Sequence, residues 1–245
     1  MSPRPLSSIV ADIANEAFPR GGFYVEAGAH DGIFFSNTNG LDTSKWQGLL
    51  VEPSPAAFEL LKRNRPEAIL ENVALVEDES ITSLSGTFED GSAMGSADRQ
   101  LMQRDAARPR NLREKLETIA RAKLGIPPMT RTAIVNTATL DQLLEKHRIE
   151  SIDLLILDVE GYEAKVLDGF RFVPKPKLMI VEMRQRDCFE ISTRLLASGY
   201  ILAANLSNLS VNHNPLFSGD HQDFAWVRSD CSDLLKVVAD VELFS

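Results

Sequence analysis

Four acidic residues end short apolar runs in this chain: Glu26 in "FYVEAG", Glu52 in "GLLVEP", Asp158 in "IDLLILDVEG" and Glu182 in "KLMIVEM". Charge inside a strand is costly, so a carboxylate at the end of one is better placed at a sheet's edge than in its core. There it can accept hydrogen bonds from hydroxyls, offset an ammonium or take a proton from a nucleophile. One acid in such a place is bland; four in equivalent places point to a small-molecule site.

The turn after the first run narrows the ligand. It reads Glu26-Ala27-Gly28-Ala29-His30-Asp31-Gly32. It lacks the G-x-G-x-x-G of a dinucleotide fold and the G-K-[ST] of a phosphate-binding loop, and its acids would repel a pyrophosphate. Glu52, ending the next run, stands where an acid can accept both hydroxyls of a ribose. A nucleoside with a cationic amino-acid tail and no phosphate fits this set, and S-adenosylmethionine is such a molecule.

The elements that must position these residues follow from periodicity. Leu6, Ile9, Val10, Ile13 and Ala17 recur at helical spacing, and Pro19 to Gly22 end that N-terminal helix, within residues 1–20. "FYVEAG" and "GLLVEP" read as strands. Ser54 caps a helix reaching about Asn64, "AILENVALV" is a third strand region, and Thr139 caps the helix of "TLDQLLEKH". "IDLLILDVEG" is a strand buried on both faces, followed by helix "YEAKVLDGF", strand "KLMIVEM", helix "EISTRLLASG" and late strands "YILAANL" and "DFAWVR". The alternation predicts an α/β fold of Rossmann-like type: one domain over residues 1–245, with a mostly parallel sheet and helices on both faces. In such sheets ligands bind outside the carboxyl ends of the strands, where the strand order reverses.

Residues 83–131 break the rhythm. The segment begins Gly- and Ser-rich and then carries nine Lys and Arg against three acids between Arg99 and Arg131, in a chain whose net charge is −9. We expect an inserted basic, helical lid. Arg99, Arg104, Arg110 and Arg113 are the candidates for clamping an anionic group on a substrate. The acidic balance of the whole argues against nucleic acid as partner. Cys188 and Cys231 have no metal-ligand spacing, no run is long enough to span a membrane, and no secretory leader is legible, so a cytoplasmic protein is expected. The apolar late strands could support a homodimer.

The ordered set "VEAGAHDGIFFSNTNGL", "WQGLLVEPSP", "LLKRNRP", "NVAL", "TLDQLLEKHRIESIDLLILDVEGYEAKVLDGF" and "IVEMR" resembles the FkbM-type methyltransferases, relatives of the class I S-adenosylmethionine-dependent enzymes. The resemblance runs from about Phe23 to Glu182 and is poor across the insertion. Glu26 stands where many relatives carry Asp, which keeps a carboxylate. The family is associated mainly with O-methylation of sugars or natural-product hydroxyls. The resemblance implies that Glu26, Gly28, His30 and Asp31 surround the methionine part, with Ser36, Asn37 and Thr38 near its tail. It implies that Glu52 holds the ribose, Pro53 and Ser54 shape the adenine slot, Asn72 and Ala74 flank the base, and Asp158 lies beside the transferred methyl.

A hydroxyl nucleophile must lose its proton, so a base is expected near the methyl. Asp158 is the first candidate and Glu160 the second, followed by His30 and Glu182. Glu160 and Glu163 could instead only open a helix, where the dipole favours acids. His213 and His221 read as structural or exposed. Asp158, Glu160 and Glu182 could form an oxygen site for Mg²⁺, a reading placed below a metal-free one. The alternatives are an N-methyltransferase, which would share the cofactor site, and a non-catalytic module on the same fold. A nicotinamide-dependent dehydrogenase fits less well, because the second Gly of its fingerprint is missing. Methylation of nucleic acid fits poorly too, with neither an N-P-P-Y-type tetrad nor a catalytic Pro-Cys pair.

Overall fold

A computed structural model describes residues 4–86, 133–208 and 221–240. Helix α1 (Leu6–Ala17) precedes β1 (Gly22–Ala27), β2 (Trp46–Val51), α2 (Pro55–Asn64) and β3 (Ile69–Glu71). After β4 (Ala74–Leu75), β5 (Ser83–Gly86) and β6 (Ala133–Ala138) come α3 (Leu140–Lys146), β7 (Leu154–Leu157), α4 (Glu163–Asp168) and β8 (Leu178–Arg184). The chain continues through α5 (Cys188–Ala197), β9 (Tyr200–Asn205), β10 (His221–Arg228) and α6 (Ser232–Ala239). Among the described residues no helix is long and apolar enough to cross a membrane.

Seven strands form the main sheet in the order β3-β2-β1-β7-β8-β10-β9. Pairings from β3 to β8 are parallel, and β10 runs antiparallel to both of its neighbours. The α/β expectation therefore holds. The strand order reverses between β1 and β7, because the chain first builds outward from β1 to β3 and then starts again at β7 on the other side. That is the point where a doubly wound sheet opens a ligand crevice.

Alternation along each inner strand covers the sheet on both faces. Val25, Ala27, Leu49, Val51, Leu155, Leu157, Met179 and Val181 pack with Leu140 and Leu144 of α3, Val166 and Leu167 of α4, and Ile191 and Leu195 of α5. Tyr24, Leu50, Leu154, Ile156, Leu178 and Ile180 face the other way, onto Ile9, Val10 and Ile13 of α1, Leu61 of α2, and Leu234 and Val238 of α6. Two of the helix starts follow the capping rules. Ser54 Oγ accepts the Ala57 N–H, and Thr139 forms a full capping box with Gln142.

Two expectations are revised. The third strand region divides: Ile69–Glu71 stays in the main sheet, while Ala74–Leu75 leaves it to pair with β6. The break falls at Asn72, whose amide Nδ2 donates to the carbonyls of Glu52 (2.7 Å) and Pro53 (3.1 Å) and so ties the chain back to the end of β2. The second revision concerns the basic segment. Its start at Ser83 is a strand, β5, which pairs antiparallel with β6 from Ser83↔Asn136 to Gly86↔Ala133. The segment thus leaves and rejoins the domain through a paired β stem. Arg99, Arg104, Arg110 and Arg113 lie outside the described residues, as does His213.

Candidate active site

The loops after β1 and β7 meet at the reversal point. Gly28 follows β1 with φ +92°, and a Cβ there would stand 1.8 Å from the backbone oxygen of Asp158. Only glycine allows this approach of the two strand ends. It is locked by the Asp158 N–H donating to Ala27 O (3.1 Å), while the Gly28 N–H donating to Val51 O (2.9 Å) ties the turn to β2. His30 and Glu160, one on each loop, hold left-handed backbones at φ 48° and 55°. Such conformations cost on the order of 1–3 kcal/mol and cluster where structure is given up for function.

Glu26 is fully buried. Its Oε2 accepts from Ser36 Oγ (2.8 Å) and Thr38 Oγ1 (2.6 Å), and its Oε1 accepts the Asn37 N–H (2.5 Å). Burial raises its pKa, and those same donors pull the other way. Its work is to hold the Ser36-Asn37-Thr38 loop. That loop in turn sends the Asn37 amide Nδ2 to Asp158 Oδ2 at 3.1 Å. Arg65, also buried, braces the loop from beneath through Tyr24 Oη at 2.6 Å, with longer contacts to Gly32 O and Thr38 Oγ1.

Glu52 ends β2 with both carboxylate oxygens engaged by backbone. Oε2 accepts from the His30 N–H (2.9 Å) and Oε1 from the Ser54 N–H (2.7 Å). Each oxygen keeps a second lone pair. Burial pushes its pKa up to about 7 against the pull of those two N–H groups. Asp31 is a turn former: Oδ1 accepts from the N–H of Ile33 and Phe34. Burial raises its pKa, but those donors together with His30 outweigh burial and leave it lowered. Ala74 is buried in β4 against Val135, in the second sheet.

A second group of acids gathers at the ends of β7 and β8. Carboxylate oxygens of Asp158, Glu160 and Glu182 lie within 4.8 Å of one another. Arg184 stands among them, its Nη2 donating to Glu160 Oε2 (2.7 Å) and Glu182 Oε2 (3.2 Å). The three acids could hold a divalent ion, but a guanidinium already supplies positive charge to two of them. Burial raises the pKa of Asp158 against the Asn37 amide and Arg184. Glu182 is held well above the usual range by burial and by the charges of Asp158, Glu160 and Glu163. Glu163 Oε1 closes the intervening loop by accepting from the N–H of Val159 (2.9 Å) and Gly161 (3.1 Å), and burial pushes its pKa up to about 7.

Sequence reasoning missed the contribution of β10. It runs antiparallel, so its start lies at the same sheet edge as the ends of β7 and β8. The register sets Asp223 opposite Glu182 and His221 opposite Arg184. His221 Nε2 is 3.6 Å from Glu182 Oε1. Asp223 is buried, bonded to Ser207 Oγ (3.0 Å), and raised to about 7 by burial and by the charge of Asp158. Arg184 was within reach in "IVEMR", as a cation two residues after a strand-end acid.

The chain matches the model of the methyltransferase FkbM domain over residues 26–202. It belongs to that family. The match spans both strand-end loops and the acids on them, and S-adenosylmethionine is the methyl donor of such enzymes. No curated protein matches the chain. Among solved structures, a TehB-like SAM-dependent methyltransferase from Corynebacterium glutamicum shares 12% identity, covering 90% of this chain and 87% of that one, with a TM-score of 0.41. A precorrin-6y C5,15-methyltransferase from Geobacter metallireducens shares 8%, covering 90% and 89%, with a TM-score of 0.43. Aeropyrum pernix fibrillarin with natively bound S-adenosyl-L-methionine shares 15%, covering 83% and 65%, with a TM-score of 0.42. At such scores these likenesses add nothing to the family match.

The methyltransferase's own residues fit the donor. The acids grouped at these strand ends suit a ligand carrying a cationic ammonium and sulfonium, and each Glu52 oxygen accepts one backbone N–H and keeps a lone pair that a ribose hydroxyl could use. The β1–β2 loops described contain no phosphate-binding fingerprint.

Proposed function

We propose that this methyltransferase acts on a hydroxyl, of a sugar, glycoconjugate or natural-product acceptor, with Asp158 taking the proton. The supporting observation is the group of Asp158, Glu160 and Glu182 oxygens within 4.8 Å of one another beside the Gly28 turn. S-adenosylmethionine supplies an electrophilic methyl. The protein's part is to align the acceptor oxygen in line with it and to accept its proton.

Asp158 suits that part. Its pKa is raised, which makes its carboxylate a better base, and the Asn37 amide fixes one oxygen. Glu182, whose pKa burial and the charges of the neighbouring acids raise well above the usual range, takes a proton more readily than an ordinary glutamate and in that form can donate a hydrogen bond to its neighbours. Glu160 is bound to Arg184 and serves as partner to that cation. His30 acts through its backbone N–H on Glu52, which makes it a positioning residue. On the cofactor side, Gly28 and the Glu26-held loop 36–38 form the methionine end, Glu52 takes the ribose hydroxyls, and Pro53, Ser54 and Asn72 fix the backbone around the base.

An amine acceptor fits this group less well. Clustered carboxylates would hold an amine protonated, and a protonated amine has no lone pair to attack with. The basic segment beyond the β5–β6 stem would then serve an anionic handle farther out on the acceptor, through Arg99, Arg104, Arg110 or Arg113.

The test is transfer of labelled methyl from S-adenosylmethionine to a panel of glycosides and polyols, by wild type and Asp158→Asn. We expect O-methyl product from wild type and a loss of roughly 10²–10⁴ in kcat for the variant, with cofactor affinity retained. Products methylated only on nitrogen would overturn the reading.

A further inference from the structure

Arg184 has donors that no described residue meets. Its side chain is 2% exposed. Nη2 is engaged by Glu160 and Glu182, but Nε and Nη1 are buried with no hydrogen-bond partner among the described residues. A buried donor left unmet costs roughly 1–3 kcal/mol. Placing several on one guanidinium, in the middle of a catalytic group, needs a reason.

Charge selects what could meet them. Glu182, Glu160 and Glu163 act electrostatically on Arg184, and Asp158 acts on Glu182, Glu163 and Asp223. Arg186 also acts on Arg184, so the five acids Asp158, Glu160, Glu163, Glu182 and Asp223 face two guanidinium groups here. A carboxylate or phosphate entering this place would be repelled by the excess. A cation would pair with the acids but could accept nothing from Arg184. An uncharged hydroxyl does both, because its oxygen accepts from the guanidinium while its proton goes to a carboxylate.

We infer that Arg184 is an acceptor-binding residue, donating through Nε and Nη1 to an uncharged oxygen next to the hydroxyl that is methylated. The reacting end of the acceptor is then a neutral pair of adjacent oxygens, read jointly by Arg184 and the carboxylates. This rests on the methyltransferase reading above. It adds the residue that orients the acceptor, and it confines any anionic handle to a place away from the reacting atoms.

The experiment uses crystals of the whole chain grown with S-adenosylhomocysteine and soaked in molar glycerol or, separately, molar glycerate. Both carry adjacent hydroxyls, and glycerate has a carboxylate in place of one hydroxymethyl group of glycerol. The expected result is glycerol with adjacent oxygens about 3 Å from Nε and Nη1, and no glycerate there. Arg184→Lys keeps the charge but loses the planar fork. It should bind S-adenosylhomocysteine within about threefold of wild type by calorimetry, fold normally, and show glycerol occupancy reduced at least threefold. Four results would overturn the inference: an ordered water or protein atom on Arg184 with no glycerol, glycerate bound as well as glycerol, glycerol undiminished in the Lys variant, or glycerol lying elsewhere in the site. Failure of S-adenosylhomocysteine to bind folded wild type would instead defeat the methyltransferase reading, and this inference with it.

Discussion

Glu52→Gln tests the electrostatics of the cofactor site without any substrate. In the folded protein burial holds the Glu52 pKa at about 7, against an ordinary 4.5. The folded state therefore keeps a proton that the unfolded chain has already released. Between about pH 4.3 and 7 the folded state binds more protons, so stability is highest below that window and falls as pH rises through it. The rise from 4.5 to about 7 corresponds to roughly 3 kcal/mol. Glutamine does not titrate. Its amide will face one of the N–H groups of His30 and Ser54 badly, at a cost of about 1–3 kcal/mol, but that cost is the same at every pH. Urea unfolding of both proteins at pH 5 and pH 8 separates the two effects. Wild type should lose about 2.5 kcal/mol more than the variant over that interval, since the window opens below pH 5, or roughly 5–10 °C in Tm for a chain of this size. Glu163 and Asp223, also raised to about 7, remain in both proteins and cancel in the comparison. Parallel pH dependence in the two proteins would refute the argument.

Gly28→Ala drives a Cβ toward the Asp158 backbone oxygen at a φ of +92°, so calorimetry should show S-adenosylmethionine binding lost, and urea unfolding a destabilisation of about 2 kcal/mol or more. Hydrogen bonds from ribose hydroxyls would favour the charged form of Glu52. Cofactor binding at pH 6.5 should therefore release a proton, seen as a buffer-dependent heat in calorimetry, and Glu52→Gln should abolish that dependence.

Much of the fold was legible in residue order. The short apolar runs of β1, β2, β7 and β8 read as strands, with β7 buried on both faces. Ser54 and Thr139 announced the helices they cap, and the missing phosphate fingerprints around Gly28 narrowed the ligand. Less was legible where pairing is remote. "AILENVALV" reads as one apolar run, but it divides at Asn72 because that side chain has partners on β2 and because Ala74 and Leu75 pair with a strand some sixty residues on, Thr137–Ala138. The base of the insertion was hidden for the same reason, since β5 and β6 define each other only by pairing.

The site divides in the same way. Local sequence carries the acids that end parallel strands, because the turn chemistry and the apolar run that place them are adjacent to them. It also carries the need for Gly at position 28. Tertiary structure alone decided what each acid does. Glu26, read as a cofactor contact, is bound by its own loop, while Asp158 acquires Asn37 from far along the chain. Asp223 and His221 reach the site only because β10 runs antiparallel, which brings its start to the edge where the other strands end. Arg184 became a candidate only when its surroundings were known. Burial and unmet donors are properties of packing, and no pattern in a linear chain records which hydrogen bonds the fold leaves unmade.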